Sequence, residues 1–571
     1  MNSFRIWKRT GTHADIFAAV GLADVLSSIP ASPRITDAGQ FFEISVTPDV
    51  DEPSVLRIGT DAGYLYLQAK PSDEVPAGVS ASQVLNWQAE TERAKRFQNA
   101  SKEARLAGIA MSEEMQADKP RNDWRLYQVL NTLQGDGGTN KAIRRILRES
   151  PEAWGRTLFH ALQSLHNDTS DTSGFEADLV QLFNPQAAKG YARLKPDSTG
   201  RSDPTKNEWA EPFLEWLRYR GYFQLACPIS LGPKREHIRV LCPVPRAIGF
   251  RMLRAVAAEL RGAPIYGSAP KIDCLGILAI AQLLIAKSPE FQQEPVEPTQ
   301  LVSGVSIVHY QSMGKQPSQK AVTSIEELAL PDWFGLRSPA DAELWIEILG
   351  EHFAILRRLE DKNSDELGML QQYRKYLEQR GPSATPQLLT FMESYGIFVL
   401  RKRAQNQWRH RQFLVSHVEA ILNHQVVYCE ILDDPGFKAI AGALRSATVS
   451  AQVLKRNKQD HRDIRYDVLP ELRRKKTLPT AGPFLEALSD FVATYNVESA
   501  KRLESNKRSG TKRITAEELQ SFISLLDAQK DASVIGAMLC AYATCREVQE
   551  TEVPDAGDDS PTETEEPNAE A

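Results

Sequence analysis

Few cysteines, no long apolar run and no familiar catalytic motif mark this chain, and each scarcity excludes something. The six cysteines (Cys227, Cys242, Cys274, Cys429, Cys540, Cys545) form no CxxC pair and have no nearby histidine at zinc spacing. Reduced, mostly buried thiols in a cytosolic protein are therefore expected. The longest apolar run, CLGILAIAQLLIA at 274–286, has 13 residues. A spanning helix needs roughly 20, so the run reads as a core helix. The stretch MNSFRIWKRTGTHADIF at the N-terminus lacks the apolar centre of a signal peptide, and no membrane association is expected.

Missing motifs narrow the chemistry. The chain holds no GxSxG nucleophile elbow, no HExxH, no GxxxxGK[ST], no HxE followed by PCxxC and no EF-hand loop. GDGG at 135–138 imitates a phosphate loop, but Thr139, Asn140 and Lys141 follow it where a Walker A loop places Lys-Ser/Thr directly after glycine. His410, His417 and His424 stand seven apart. On one helix they would share a stripe about 10.5 Å apart, too far to share a metal. DSTGRSDPTKNE (197–208) offers Asp, Glu and Lys in the order of a metal-dependent nuclease, without a strand to bring them together. No catalytic residue, metal or cofactor is expected.

What is present begins with charge. The formal charge of −6 conceals an acidic end: residues 547–571 carry ten Asp/Glu and no Lys or Arg, and without them the remainder is +4. Such a segment buries too little apolar surface to offset chain entropy, so 548–571 is expected to be disordered. The body is mildly basic.

Strand and helix signals alternate through residues 1–330, which predicts a mixed α+β N-terminal domain. IFAAVGLADVL (16–26) reads as a buried helix; QFFEISV (40–46), VLRIG (55–59) and YLYLQA (64–69) read as strands between turn residues. Helices are expected over 81–115 and on both sides of the Gly-rich turn in 124–150. FLEWLRYRGYFQLACPISLGPKREHIRVLCPVP (213–245) predicts a helix and then a hairpin whose tip carries Lys234, Arg235 and His237. After Pro331 strand signals fade, and 335–547 reads as an all-α bundle. Within it Phe484, Leu488, Phe491 and Tyr495 mark a core face, and Thr515-x-x-Glu518 supplies a capping box.

Cations gather in two places. FNPQAAKGYARLK (183–195) sets Lys189, Arg193 and Lys195 around Gly190, a pattern suited to close approach of a phosphate backbone, with Asn184 able to read a base edge. Between Arg401 and Lys476 sixteen Lys/Arg face eight Asp/Glu, an excess of +8. PGFKAIAGALRSATVSAQVLKRN (435–457), read as one helix, aligns Phe437, Ile440, Leu444, Ala447, Ala451 and Leu454 on one stripe. Lys438, Arg445, Gln452 and Arg456 lie nearly opposite, which predicts a cationic ridge for a polyanion.

The segments FKAIAGALRSATVSAQVLKRNKQDHRDIRYDVLPELRRKK, FLEALSDFVATYNVESAKRLESNKRSGTKRITAEELQSFISLLD and VIGAMLCAYATCRE resemble the C-terminal helical region of the large subunits of type I CRISPR surveillance complexes (Cascade). FNPQAAKGYARLK with FLEWLRYRGYF is similar to their N-terminal domain. The resemblance implies a non-catalytic subunit with 335–547 like the Cascade small subunit. It implies recognition of the protospacer-adjacent motif in target double-stranded DNA, help in starting the R-loop, contact with crRNA and displaced strand, and partnership with backbone and small subunits and a helicase–nuclease. An unrecognised metal-dependent nucleic-acid-processing enzyme and a helical protein-binding scaffold remain the alternatives.

Overall fold

A computed structural model describes the chain except residues 58–65, 69–71, 73–74, 76–83, 107–111, 113–114, 116, 133–150, 170–211, 232–236, 293–294, 313–319, 333, 380–383, 424–425, 458–462, 479, 505–511, 530–531 and 548–571. The protein is mixed α+β, with its described strands in the N-terminal part and a helical C-terminal region. It divides into two compact units, Met1–Leu330 with Leu336–Ile346, and Pro331–Gly335 with Glu347–Ala571.

In the first unit, β1 (Ser3–Trp7), α1 (His13–Ser27), β2 (Arg34–Asp37) and β3 (Phe41–Ser45) come first. α1 starts where the Thr12 hydroxyl accepts from the Ala14 amide, and all of His13–Leu26 is buried. So apolar a helix, with no wet face, belongs to an interior. VLRIG departs from the strand expectation: Val55 and Leu56 end α2 (Glu52–Leu56), and residues 58–59 lie outside the described part. Asp51 caps α2 by accepting from the Ser54 amide at 2.9 Å, and Pro53 suits the first turn. These local signals outweigh the strand preference of Val55.

β4 (Tyr66–Gln68) and β5 (Val84–Asn86) form a parallel pair ahead of α3 (Trp87–Leu106), α4 (Asn122–Thr132) and α5 (Pro151–His166). Next come α6 (Pro212–Leu225), β6 (Cys227–Leu231), β7 (His237–Pro245), β8 (Ala247–Gly249), α7 (Phe250–Leu260), α8 (Ala269–Gln292), α9 (Pro298–Leu301), β9 (Val302–Ser312) and β10 (Lys320–Ala329). Two antiparallel four-stranded sheets result, ordered β1-β3-β2-β8 and β10-β9-β7-β6. α8 contains the 13-residue apolar run; its length and composition would suffice to cross a membrane, yet 72% of its apolar window is buried within the protein, as a core helix requires.

α1 and α6 meet backbone to backbone. A Cβ at Gly21 would overlap the Leu217 carbonyl, and one at Gly221 the Phe17 carbonyl. Buried ion pairs flank the crossing: Arg220 with Asp24 at 2.5 Å, and Arg218 with Glu215 at 2.5 Å and Asp15 at 3.8 Å. Burial raises the Asp15 pKa, opposed by donation from Thr10 and Gly11 and by the Arg218 charge.

The second unit takes over within α10 (Pro339–Arg357) and continues as α11 (Ser364–Glu378), α12 (Ala384–Ala404), α13 (Val415–Leu422), α14 (Val426–Asp433), α15 (Pro435–Ala447), α16 (Val449–Arg456), α17 (Val468–Lys475), α18 (Gly482–Glu504), α19 (Ala516–Gln529) and α20 (Ala532–Ala543). Phe484, Leu488, Phe491 and Tyr495 of α18 are buried. The capping box at α19 forms both ways: Glu518 accepts from the Thr515 amide at 2.8 Å, and the Thr515 hydroxyl accepts from the Glu518 amide at 3.2 Å.

The single helix expected over 435–457 is instead two. Thr448 leaves helical geometry (φ −120°, ψ −81°), and its hydroxyl donates to the Leu444 carbonyl at 2.7 Å. A threonine turned back onto its own helix, with Val449 beside it, favours a break there.

Candidate nucleic-acid interface

Asn184, Lys189, Gly190, Arg193 and Lys195 fall outside the described residues, as do Lys234 and Arg235 at the hairpin tip. The hairpin itself forms, β6 pairing with β7 from Cys227 opposite Leu241 to Leu231 opposite His237.

The proposed ridge on 435–457 separates into surface and interior residues. Lys438 is exposed, 3.9 Å from Asp433. Arg445 is only 4% exposed: it pairs with Glu547 at 2.5 Å, donates to the Tyr542 carbonyl at 3.2 Å and lies 5.0 Å from the Tyr542 ring centre. Gln452, also buried, donates to the Leu400 carbonyl at 2.8 Å and to the Tyr466 hydroxyl at 3.1 Å. Both are braces: Arg445, which precedes the break, is held inward by Glu547 and Tyr542, and Gln452 follows the break at Thr448, which takes α16 out of the continuous-helix register. Arg456 stays exposed, its guanidinium 4.4 Å from the ring centre of Trp408.

Trp408 is the residue around which cations collect. α12 ends in Arg401, Lys402 and Arg403, and the chain reverses through Asn406, which adopts the left-handed conformation (φ 63°) that asparagine tolerates. The Asn406 side chain accepts from the Trp408 indole at 3.2 Å. Arg403 stands 5.0 Å from the Trp408 ring and donates to Gln412 at 2.5 Å, which fixes its fork. The Gln452 bond to Leu400 holds α16 against the end of α12 and its bond to Tyr466 adds an exposed ring, so Arg456 meets half-exposed Trp408, with exposed Lys455 next to it in sequence and exposed Arg401 next to Leu400. Lys402 is committed elsewhere, 3.7 Å from buried Glu366. Guanidinium and ammonium groups around an indole can neutralise phosphates while the ring receives a base.

The three histidines do not share a stripe. His410 precedes α13 in an irregular segment, His417 lies on α13 with Nδ1 2.9 Å from Glu351, and His424 lies outside the described residues. Burial, then the charges of Arg409, Lys402, Arg358 and Arg403, holds His410 down to about 3, so it is neutral and interior.

The first unit holds a second polar cluster, at the hairpin end of its sheet. Arg239 grips Asp273 through two bonds of 2.8 Å, and its Nη1 lies 3.3 Å from His309 Nδ1. Arginine only donates, so that nitrogen accepts; His309 then carries its proton on Nε2 and donates to His237 Nδ1 at 3.3 Å. Burial, aided by Arg239 and His237, holds His309 to about 4. Among the described residues no three His, Cys, Asp or Glu gather as a metal site. Burial pushes the thiol of Cys227 up to about 11 and that of Cys545 to about 12, far from a nucleophile's range.

Compared with known proteins, the chain matches no family model, no curated protein and no solved structure.

Proposed function

We propose that this chain is the non-catalytic large subunit of a type I CRISPR surveillance complex. In this reading it recognises the protospacer-adjacent motif in target double-stranded DNA and helps start the R-loop. It contacts crRNA and the displaced strand, and works with backbone and small subunits and a helicase–nuclease. The observation that carries the reading is exposed Arg456 against half-exposed Trp408, with exposed Arg401 and Lys455, on the helical unit. Sequence-tolerant single-strand binding asks for cations along a backbone and an aromatic face for bases, with no reacting group. The +8 excess over 401–476 and the mixed α+β region preceding the helices agree with the role. Base pairing with the guide then carries sequence specificity, leaving the protein to read a short motif and backbone shape.

The test is reconstitution with crRNA and type I backbone subunits. Omission of the chain should abolish motif-dependent binding of labelled target duplex, and Lys189→Ala with Arg193→Ala should weaken it. Equal duplex opening without the chain, or failure to join the backbone, removes the proposal. Cleavage of labelled DNA that requires Mg²⁺ or Mn²⁺ would replace it with the enzyme reading.

A further inference from the structure

The chain carries its own polyanion. Residues 547–571 hold ten side-chain carboxylates and no Lys or Arg, while Arg401, Lys455 and Arg456 stand exposed and, among the described residues, no carboxylate lies in ion-pair distance of them. The acidic segment leaves the helical unit at a defined place: Glu547 is paired with Arg445 in the last turn of α15, immediately before α16. Arg456 ends α16, and those eight residues rise only about 12 Å. Twenty-four residues span up to about 80 Å, so reach does not limit the contact. Joined covalently, the segment presents its carboxylates at an effective concentration on the order of millimolar.

We propose that residues 548–571 dock in cis on the Arg401, Lys455, Arg456 and Trp408 cluster and compete with nucleic acid for it. The inference rests on reading that cluster as a polyanion site, and adds its regulation. Glu547 on Arg445 is the first contact of the series, and the later carboxylates stand in for phosphates. A guide-paired target, with its dense row of phosphates and stacking bases, displaces the segment; short adventitious strands do not.

The experiment uses full-length protein, a variant in which the nine acids from Glu550 to Glu570 become Gln or Asn, and Arg456→Glu in both backgrounds. Fluorescein-labelled oligo-dT of about 20 nucleotides is the probe, with binding read by anisotropy. The neutralised variant is expected to bind about tenfold tighter at low salt, with the gap closing as salt rises and vanishing with Arg456→Glu. Zero-length carbodiimide coupling should join Lys455 to carboxylates of the segment in the wild type. Equal affinities overturn the competition alone. A gap that survives Arg456→Glu, without the Lys455 cross-link, overturns docking at this cluster. If neither protein binds oligo-dT, both the nucleic-acid reading and its regulation fall.

Discussion

Arg445 and Arg456 share a sequence pattern and differ in fate. Arg445 is buried and holds the Tyr542 carbonyl and Glu547; Glu547 is 63% exposed, so the ion pair contributes little, and most of the cost of removal comes from the charged hydrogen bond and the packing on Tyr542. Arg445→Ala should cost about 2 kcal/mol and lower the midpoint of the helical unit's melting transition by several degrees. Arg456→Ala should change stability by less than about 0.5 kcal/mol while weakening oligonucleotide binding. Calorimetry and anisotropy on the same samples separate the two; a stable Arg445→Ala protein would return that residue to the surface. Acid should reach the protein through His352, which is fully buried between the rings of Tyr373 and Phe413. Burial, then the His417 charge, holds its pKa to about 3. The folded value lies below the ordinary 6.5, so above pH 6.5 both states are neutral and nothing is lost. Between 6.5 and 3 the unfolded chain takes a proton the folded one refuses, at about 1.4 kcal/mol per pH unit. His410 and His309 add to the same limb, so His352→Gln should make it shallower by about 1.4 kcal/mol per pH unit in urea unfolding between pH 6 and 4; an unchanged slope would refute the assignment.

At the element scale, the α1–α6 crossing is set by two glycines. Gly21→Ala puts a methyl into the Leu217 carbonyl, which neither helix can yield without parting, so a loss of about 3 kcal/mol or more is expected. Gly442→Ala on α15 meets nothing within 4 Å and removes a poor helix former, so it should stabilise by roughly 0.5–1 kcal/mol. Paired thermal melts check both signs. Elements with strong local signals were legible in the sequence: the α8 run, the α18 core face, the Thr515–Glu518 box and the β6–β7 hairpin depend on neighbours within a few residues. The α2 and Thr448 departures arose where one capping or back-bonding side chain outweighed periodicity. The Trp408 cluster was legible only in half. RKRAQNQWRHR (401–411) shows cations around a tryptophan, but Arg456 follows Trp408 by 48 positions, and tertiary contacts such as the Gln452 bond to Leu400 bring α16 beside it.

At the scale of the whole molecule, the charge is divided rather than small: +8 across 401–476 against ten carboxylates over the last 25 residues. That division predicts how binding responds to salt. If Arg401, Arg403, Lys455 and Arg456 each neutralise a phosphate, about four counterions leave a single strand, and log affinity should fall with log salt at a slope near −2.8. Between 50 and 200 mM salt the neutralised variant should lose roughly 50-fold in affinity for oligo-dT. Arg456→Ala should make that slope shallower by about 0.7, one phosphate contact fewer. The wild type should start weaker and fall less steeply, because salt also loosens the carboxylates that compete for the same cations. Parallel slopes would mean that the acidic segment does not share them.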